Sequence, residues 1–227
     1  MALLVAIEGI DGSGKGTQAW RLVERLAADG RRVQLISFPR YGETLFGRAV
    51  GDFLNGRFGK LDEVNPFLVS LLYAGDRFES RELLAQALAA HDVVVLDRYV
   101  ASNSAHQGSK VTGEERTKLL DWIEQIEYGI YALPRPGLTI LLDLPAADAQ
   151  QLIARKQARG YTDKQADLHE ADAAYLDSVR AVYVEFAQRP DWQRVDVFRN
   201  GTLRPIEEIG DEIYTTVQKT LTGEHGA

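Results

Sequence analysis

Five short apolar runs divide the chain and predict the strands of a sheet. Most of them are continuous rather than alternating in polarity, which is typical of strands that are covered on both faces in a parallel sheet. The runs are Leu3–Glu8, Val33–Phe38, Val93–Asp97, Thr139–Leu144 and Val195–Phe198. The pattern therefore favours a sheet that is buried between two layers of other elements.

Segments with helical periodicity lie between these runs and after the last one. They are Thr17–Ala28, Asn65–Ala90, Glu114–Tyr128, Ala146–Ala158, Ala171–Ala187 and Pro205–Leu221. Strands that alternate with helices predict βαβ units with right-handed crossovers, and hence an α/β fold. Because no internal repeat and no Pro/Gly/Ser-rich linker interrupts the pattern, we expect residues 1–227 to form a single domain.

The composition of the chain narrows the classes of function. The 227 residues include no cysteine, which excludes a disulfide framework and a thiol nucleophile. The net charge of −7 argues against a broad nucleic-acid-binding surface, so any cations that bind phosphates must be placed locally. No apolar run is long enough to span a bilayer, and the first residues lack the basic segment of a signal peptide. We therefore expect a cytoplasmic protein that binds neither nucleic acid nor membrane.

The most specific motif follows the first predicted strand directly. Residues 9–15 read GIDGSGK and fit the phosphate-loop pattern G-x-x-x-x-G-K, placed between a strand and a helix as that motif requires. The predicted ATP-binding residues are Gly9, Ile10, Asp11, Gly12, Ser13, Gly14, Lys15, Gly16 and Thr17. Gly16 stands where the motif has a Ser or Thr ligand of Mg²⁺, so direct hydroxyl ligation is not assigned. The alternative is a glycine-rich turn that only begins a helix.

Asp97 and Arg98 end the third predicted strand. Open α/β sheets bind ligands at the carboxyl ends of their strands, so both side chains are candidates for a site beside the phosphate loop. Asp97 would orient Mg²⁺ through water, and Arg98 would bridge phosphates. The alternative for the two residues is a structural ion pair at the strand end.

A second set of residues indicates a kinase, which needs a site for a phosphate acceptor. The guanine-reading pattern N-K-x-D is absent, and a large motor domain does not fit in 227 residues. Arg40 follows the second strand and suits bidentate phosphate binding. Tyr73 and Arg77 lie one helical turn apart, where an aromatic ring can stack on a base while the guanidinium reaches its edge. Asn103 can both donate and accept, which suits a pyrimidine edge.

Taken together, these motifs resemble thymidylate kinases, and actinobacterial members especially. The matching segments follow the family's order and cover most of the chain: EGIDGSGKGTQ at 8–18, FPRYG at 38–42, YAGDR at 73–77, DRYVASNSAHQG at 97–108 and DLHE at 167–170. The resemblance implies the three-layer nucleoside-monophosphate-kinase variety of the phosphate-loop fold, with a five-stranded parallel sheet flanked by helices and a short lid at 155–170. It also implies that ATP and dTMP react to ADP and dTDP, with Mg²⁺ as cofactor, in a homodimer.

The resemblance further implies a dTMP site. Its members are Asp11, Phe38, Arg40, Tyr41, Tyr73, Arg77, Arg98, Ser102, Asn103, His106, Gln107, Asp167 and His169. Within this set, Phe38 and Tyr73 hold the thymine, Arg77 bonds a base carbonyl, and Asn103 with Ser102 reads the other edge. Arg40 and Arg98 hold the acceptor phosphate, with Tyr41 near it, and Asp11 lies near the sugar 3′-hydroxyl. Asp167 and His169 match lid-end positions that contact the substrate or the waters of the metal in relatives.

The catalytic set implied by the resemblance consists of Lys15, Arg98, Asp11, Arg155 and Arg159. Some members of the family carry an arginine within the phosphate loop, at the position of Gly12 here, so the lid is expected to supply that charge through Arg155 or Arg159. Asp11 and Glu170 are the residues expected near the metal.

Two positions depart from the family's usual pattern. His106 stands near the sugar 2′ position, where tyrosine is common, which puts the discrimination against ribonucleotides in question. His169 also replaces a frequent tyrosine.

Two alternatives to a thymidylate kinase remain open: another nucleotide or deoxynucleoside kinase of the same fold, or a nucleotide-binding module without catalysis. A panel of phosphate acceptors separates them.

Overall fold

The structure is a computed structural model that describes residues 2–60, 63–154, 173–199 and 201–223. Five strands form one parallel sheet in the order β2-β3-β1-β4-β5. Their bounds are β1 Leu3–Glu8, β2 Val33–Ser37, β3 Val93–Asp97, β4 Leu138–Asp143 and β5 Trp192–Asp196. The predicted α/β class and the five-stranded parallel sheet are confirmed. A short antiparallel ribbon, β6 Phe198–Arg199 with β7 Thr202–Leu203, follows the sheet.

Helices flank the sheet throughout the part of the chain that the structure describes. They are α1 Lys15–Ala28, α2 Leu45–Leu54, α3 Pro66–Glu79, α4 Arg81–Ala90, α5 Val100–Gly108, α6 Gly113–Glu124, a π-helix Gln125–Ile130, α7 Ala146–Ala154, α8 Ala173–Phe186 and α9 Ile206–Thr222. Within the described ranges, none of these helices combines the length and the apolar character that a membrane span needs.

Two apolar clusters cover the sheet, one on each face. Successive residues of β1 alternate between them: Val5 and Ile7 join the cluster that includes α1, α8 and α9, whereas Leu4 and Ala6 join the cluster that includes α4 and α6. All four side chains are buried. Both faces of the strand are therefore covered, which explains why its sequence is a continuous apolar run.

The prediction of one long helix over Asn65–Ala90 is wrong. The segment forms two helices, α3 and α4, which are separated at Ser80. The buried Ser80 hydroxyl donates to the carbonyl of Asp76 at 2.9 Å, and the Ser80 amide donates to the carbonyls of Asp76 and Arg77. A serine side chain that competes for main-chain groups in this way favours the end of a helix.

Two other predicted boundaries also differ from the structure. The helix predicted over Glu114–Tyr128 is α-helical only to Glu124 and continues as the π-helix, because hydrogen bonds such as Tyr131 N to Ile126 O at 2.8 Å span five residues. The last strand begins at Trp192 instead of Val195 and pairs with the whole central part of β4. Its first residues are mostly exposed, so they include polar side chains, and the apolar run in the sequence begins only at Val195.

Candidate active site

A cleft of about 410 Å³ opens at the carboxyl ends of β1, β2 and β3. The parallel sheet brings these three strand ends to one edge, as is usual for the ligand sites of such folds. Most of the predicted site residues line the cleft: Asp11, Gly12, Gly14, Lys15, Gly16, Phe38, Tyr41, Tyr73, Arg77, Arg98, Ser102, Asn103, His106 and Gln107. Asp97 also lines it.

The phosphate loop connects β1 to α1 and forms one wall of the cleft. Gly14 caps α1 with a φ of 88°, a left-handed conformation that favours glycine. A side chain at Gly9 would lie 2.6 Å from the carbonyl oxygen of Leu142, so the loop can pass β4 this closely only with glycine there. The Lys15 ammonium donates to the carbonyl of Ile10 at 2.8 Å and lies over the loop. Because α1 has no acidic residue in its first turn, its amide groups and Lys15 present positive charge to an anion.

Arg98 connects the end of β3 to the phosphate loop. Its guanidinium donates to the carboxylate of Asp11 and, at 3.1 Å, to the hydroxyl of Ser102. Burial alone would lower the pKa of Arg98, but the charge of Asp11 opposes this effect and the pKa lies well above its ordinary value. The backbone of Arg98 has a φ of 67°, which is uncommon for a residue with a side chain and is frequent at functional sites.

Glu8 anchors this arrangement from below the cleft. The carboxylate is fully buried and accepts hydrogen bonds from the amide of Tyr99 at 2.8 Å and from the hydroxyls of Ser102 and Tyr183 at 2.8 and 3.0 Å. Burial raises the pKa of Glu8, although these hydrogen bonds and the charge of Arg98 oppose the rise. The Ser102 hydroxyl is therefore engaged with Glu8 and Arg98, whereas the sequence analysis assigned it to the base.

The far end of the cleft contains a group of buried polar side chains. Arg77 is 1% exposed and donates through Nε and Nη2, both at 2.5 Å, to the carboxylate of Glu127. Asn103 donates through Nδ2 to the same carboxylate at 2.8 Å and to the carbonyl of Ser70 at 3.0 Å. Its Oδ1, and both amide atoms of Gln107, are buried without a hydrogen-bond partner in the described part of the chain. Buried polar groups of this kind point to a ligand that completes them.

Three aromatic side chains form the apolar walls of this end. Phe38 is buried and packs against Tyr99, with their ring centroids 6.0 Å apart. Tyr41 and Tyr73 are half-buried and pack against a small cluster that includes Phe53 of α2. A flat aromatic ligand can therefore lie between the sheet edge and α3.

Arg40 does not line the cleft, although it follows β2 as predicted. Its guanidinium pairs with Glu43 and donates to the hydroxyl of Ser80 at 3.0 Å. The Arg40 amide donates to the carboxylate of Asp76, which is itself fully buried. In this arrangement the side chain fastens the loop after β2 to the end of α3.

His106 lies on the side of the cleft that faces α8. Its Nδ1 is 3.0 Å from the hydroxyl of Tyr175, and its Nε2 is 3.5 Å from Nη1 of Arg98. The imidazole is 8% exposed. The residue therefore connects the cleft to the helix that follows residues 155–172 in the chain.

Comparisons with known proteins agree with this geometry. A family model described as thymidylate kinase matches residues 7–213. The chain belongs to the thymidylate kinase family. It is 34% identical to the thymidylate kinase of Mycobacterium tuberculosis H37Rv over 187 residues, which cover 82% of this chain and 86% of that protein. It is 35% identical to the human thymidylate kinase over 224 residues, which cover 96% of this chain and 94% of that protein.

The structural comparison gives the same fold. The thymidylate kinase of Candida albicans superposes with a TM-score of 0.74 at 23% identity, covering 97% of this chain and 93% of that one. The phosphate-loop nucleoside-monophosphate-kinase fold is therefore confirmed.

Part of the site predicted for a thymidylate kinase lies outside the described residues. These positions are the lid at 155–170 and, within it, Arg155, Arg159, Asp167, His169 and Glu170. Conversely, the sequence analysis missed Glu127 and Tyr175, which contact site residues from neighbouring elements. Neither residue belongs to a motif of its own, and the buried carboxylate of Glu127 shows its importance only once the fold brings it to Arg77.

Proposed function

We propose that this member of the thymidylate kinase family transfers the γ-phosphoryl group of ATP to dTMP, releasing ADP and dTDP, within a single domain. One observation carries the proposal: a single cleft joins a phosphate loop to a buried group of polar side chains that suits a pyrimidine base. A phosphate loop alone is compatible with many nucleotide-binding proteins. The second, base-binding end supports a nucleotide acceptor rather than water.

The base-binding end supports thymine. Nη1 of Arg77 has no acceptor among the described residues, and Oδ1 of Asn103 has no donor. Thymine presents a carbonyl oxygen beside a ring N–H, so a donor next to an acceptor is the matching arrangement. Gln107, one turn after Asn103, adds a further amide, and Tyr73 supplies a ring for stacking.

The reaction needs positioning and charge neutralisation more than proton transfer. The acceptor phosphate has a second pKa of about 6, so it is largely a dianion at neutral pH and needs no general base. The obstacle is the electrostatic repulsion between two anions as they approach. Lys15 and Arg98, which both line the cleft, reduce this repulsion. Arg98 exchanges its contact with Asp11 for the acceptor phosphate in this proposal. The resemblance assigns the remaining charge to Arg155 or Arg159 of the lid.

The cleft also contains oxygen donors that fit Mg²⁺. A side-chain carbon at Gly16 would lie 3.2 Å from Oδ2 of Asp97, so this carboxylate lies close to the start of α1. Asp11 also lines the cleft. The described residues contain no group of three or more His, Cys, Asp or Glu side chains that could enclose a metal ion. Mg²⁺ in kinases is held by one or two carboxylates with phosphates and water, and it neutralises charge on the transferred group. Asp97 and Asp11 would hold it here, with Glu170 predicted to assist.

A homodimer is part of the proposal. Exposed apolar side chains on α2, α3, α6 and the π-helix include Phe46, Leu68, Phe78, Trp122 and Ile130. The ring of Phe46 in α2 lies against Gly75 of α3, and Phe67 of α3 packs against Trp122 of α6 with ring centroids 6.1 Å apart. The exposed side chains of α2, α3 and α6 therefore lie on adjacent elements. A second copy of the chain presents the same face and can cover it in a two-fold interface. Leu68→Glu should convert a dimer to a monomer in light-scattering measurements, and a monomeric parent protein would refute the assignment.

The test of the activity is an assay of ADP release with ATP and Mg²⁺. The acceptors are dTMP, dUMP, UMP, CMP, AMP and thymidine. The proposal expects dTMP to be preferred, Lys15→Ala to lower kcat by orders of magnitude in a folded protein, and Arg77→Ala to raise the KM for dTMP.

Three results would contradict it. Preference for thymidine or AMP would keep the phosphate loop but refute the acceptor. Binding of ATP without turnover of any acceptor would indicate a module without catalysis. Normal turnover by Lys15→Ala would refute the phosphate-loop assignment itself.

A further inference from the structure

Glu127 lies behind the base-binding end of the cleft and contacts both side chains that we assign to the base. Its Oε2 accepts from Nε of Arg77 at 2.5 Å, and its Oε1 accepts from Nη2 of Arg77 at 2.5 Å and from Nδ2 of Asn103 at 2.8 Å. The carboxylate is fully buried and does not line the cleft. Glu127 can therefore influence a ligand only through Arg77 and Asn103.

The first consequence concerns the orientation of the Asn103 amide. Its Nδ2 faces two groups that can only accept, the Glu127 carboxylate and the carbonyl of Ser70 at 3.0 Å. A flipped amide would place Oδ1 against both acceptors, so the contact excludes it. Asn103 must consequently present Oδ1, an acceptor, on its other side.

The second consequence concerns Arg77. Glu127 occupies Nε and Nη2 in a two-pronged contact, which fixes the plane of the guanidinium and leaves Nη1 as the donor. Burial alone would lower the pKa of Arg77, but the charge and hydrogen bonds of Glu127 raise it above its ordinary value. The guanidinium is thus a permanent donor in a fixed direction.

We propose that Glu127 is a positioning residue that sets the polarity of the base-binding pair, a donor from Arg77 beside an acceptor from Asn103. This inference rests on the proposed function, which assigns these two side chains to the base. Thymine and uracil present a carbonyl beside a ring N–H, whereas cytosine presents an amino group beside a ring nitrogen that accepts. The polarity that Glu127 imposes matches the first arrangement and opposes the second, so Glu127 selects thymine against cytosine.

The backbone explains how an acidic residue reaches this place. Glu127 lies in the π-helix Gln125–Ile130, between the surface helix α6 and β4. The segment after the π-helix holds the backbone carbonyl of Glu127 as well, since the amide of Leu133 donates to it at 3.0 Å. Single turns of π-helix are often found at functional sites, and here the turn places a carboxylate between α3 and α5.

The test compares Glu127→Gln with Glu124→Gln. Glu124 is a matched control because it lies three residues earlier, is half exposed and pairs with Arg135 at the surface. Steady-state kinetics with dTMP and dCMP give kcat and KM for each acceptor, and the KM for ATP is measured with dTMP saturating. For Glu127→Gln we expect the ratio of kcat/KM for dTMP over dCMP to fall by about tenfold or more, mainly through a higher KM for dTMP. The KM for ATP should stay unchanged, and Glu124→Gln should behave like the parent protein.

Circular dichroism and thermal unfolding show whether Glu127→Gln folds. If it does not, Glu127→Asp takes its place, because aspartate keeps the charge but draws the carboxylate back by one methylene. Glu127→Asp should also lower the ratio of kcat/KM for dTMP over dCMP. If both variants fold, the decrease should be smaller for Glu127→Asp than for Glu127→Gln. An unchanged ratio of dTMP to dCMP in a folded Glu127 variant would overturn the inference.

A wrong assignment of the base site would give a different experimental result. Arg77→Ala and Asn103→Ala, measured in the same assay, should each raise the KM for dTMP. If neither does, the assignment of the base site is wrong, together with the inference that rests on it. If both do while the folded Glu127 variants retain the parent ratio, the base site stands and the positioning role of Glu127 alone is refuted.

Discussion

The guanidinium of Arg98 and the carboxylate of Asp11 are in direct contact across the mouth of the cleft, one from the end of β3 and one from the phosphate loop. The two side chains form an ion pair. We expect a phosphate that binds Arg98 to compete with Asp11 for the guanidinium. The contact joins the end of β3, where we propose that the acceptor phosphate binds, to the phosphate loop.

Arg98→Lys tests how much this geometry matters beyond its charge. A lysine keeps one positive charge, but a single ammonium cannot contact Asp11 and Ser102 together as the fork of Arg98 does. We expect the KM for dTMP to rise by about tenfold or more and kcat to fall, with little change in the KM for ATP. Steady-state kinetics with each substrate varied in turn measures this. Parent kinetics in Arg98→Lys would show that charge alone is sufficient.

Gly47 at the start of α2 tests the loop that follows β2. A side-chain carbon there would lie 2.2 Å from the carbonyl oxygen of Arg40, whereas one at Gly51 in the same helix would make ordinary contact with Tyr41 at 3.6 Å. Gly47→Ala should therefore lower the free energy of unfolding by about 2 kcal/mol and raise the KM for dTMP, because the displaced loop carries Tyr41. Gly51→Ala should be neutral or slightly stabilising, since alanine favours helix. Urea unfolding of both variants measures the difference, and equal stabilities would contradict the close contact at Gly47.

Much of this architecture is predictable from the sequence, and the features that are not have identifiable physical causes. The strands are predictable because both faces of β1 and β3 are covered, and the phosphate loop because its glycines stand in a fixed order. The end of α3 at Ser80 is not, because the apolar periodicity continues past the local hydrogen bonds of that serine to Asp76. The position of Glu127 is not predictable either, since it depends on contacts between residues far apart in the chain. Glu127 lies 50 positions from Arg77, and no local pattern marks their contact.

The direction of the pH dependence of stability follows from Glu8. Burial raises its pKa above the ordinary value of 4.5, so the folded protein holds a proton that the unfolded chain has already released. The folded state then binds more protons, and stability falls as the pH rises from about 4.5 through the raised pKa. The buried Asp76 contributes with the same sign, since burial also raises its pKa.

Glu8→Gln should remove the contribution of Glu8 to this slope, because an amide does not titrate. The free energy of unfolding, measured by urea titration between about pH 5 and about pH 8, should fall less steeply in the variant than in the parent protein. The comparison of slopes is independent of any constant loss of stability that the substitution causes. Parallel curves for the two proteins would show that Glu8 does not titrate in this range.

The resemblance places His106 near the sugar 2′ position, and replacing His106 tests whether it excludes a ribose. The imidazole is held between the hydroxyl of Tyr175 and the guanidinium of Arg98, at 3.0 and 3.5 Å, and is nearly buried. His106→Ala removes the ring and opens space where the resemblance places the sugar 2′ position. We expect the ratio of kcat/KM for dUMP over UMP to fall by about tenfold, because the imidazole no longer fills the space of the ribose hydroxyl. Tyr175→Phe, which keeps the ring but removes the hydroxyl that holds His106, should lower the ratio less. A ratio that is unchanged in both variants would show that discrimination against ribose arises elsewhere in the site.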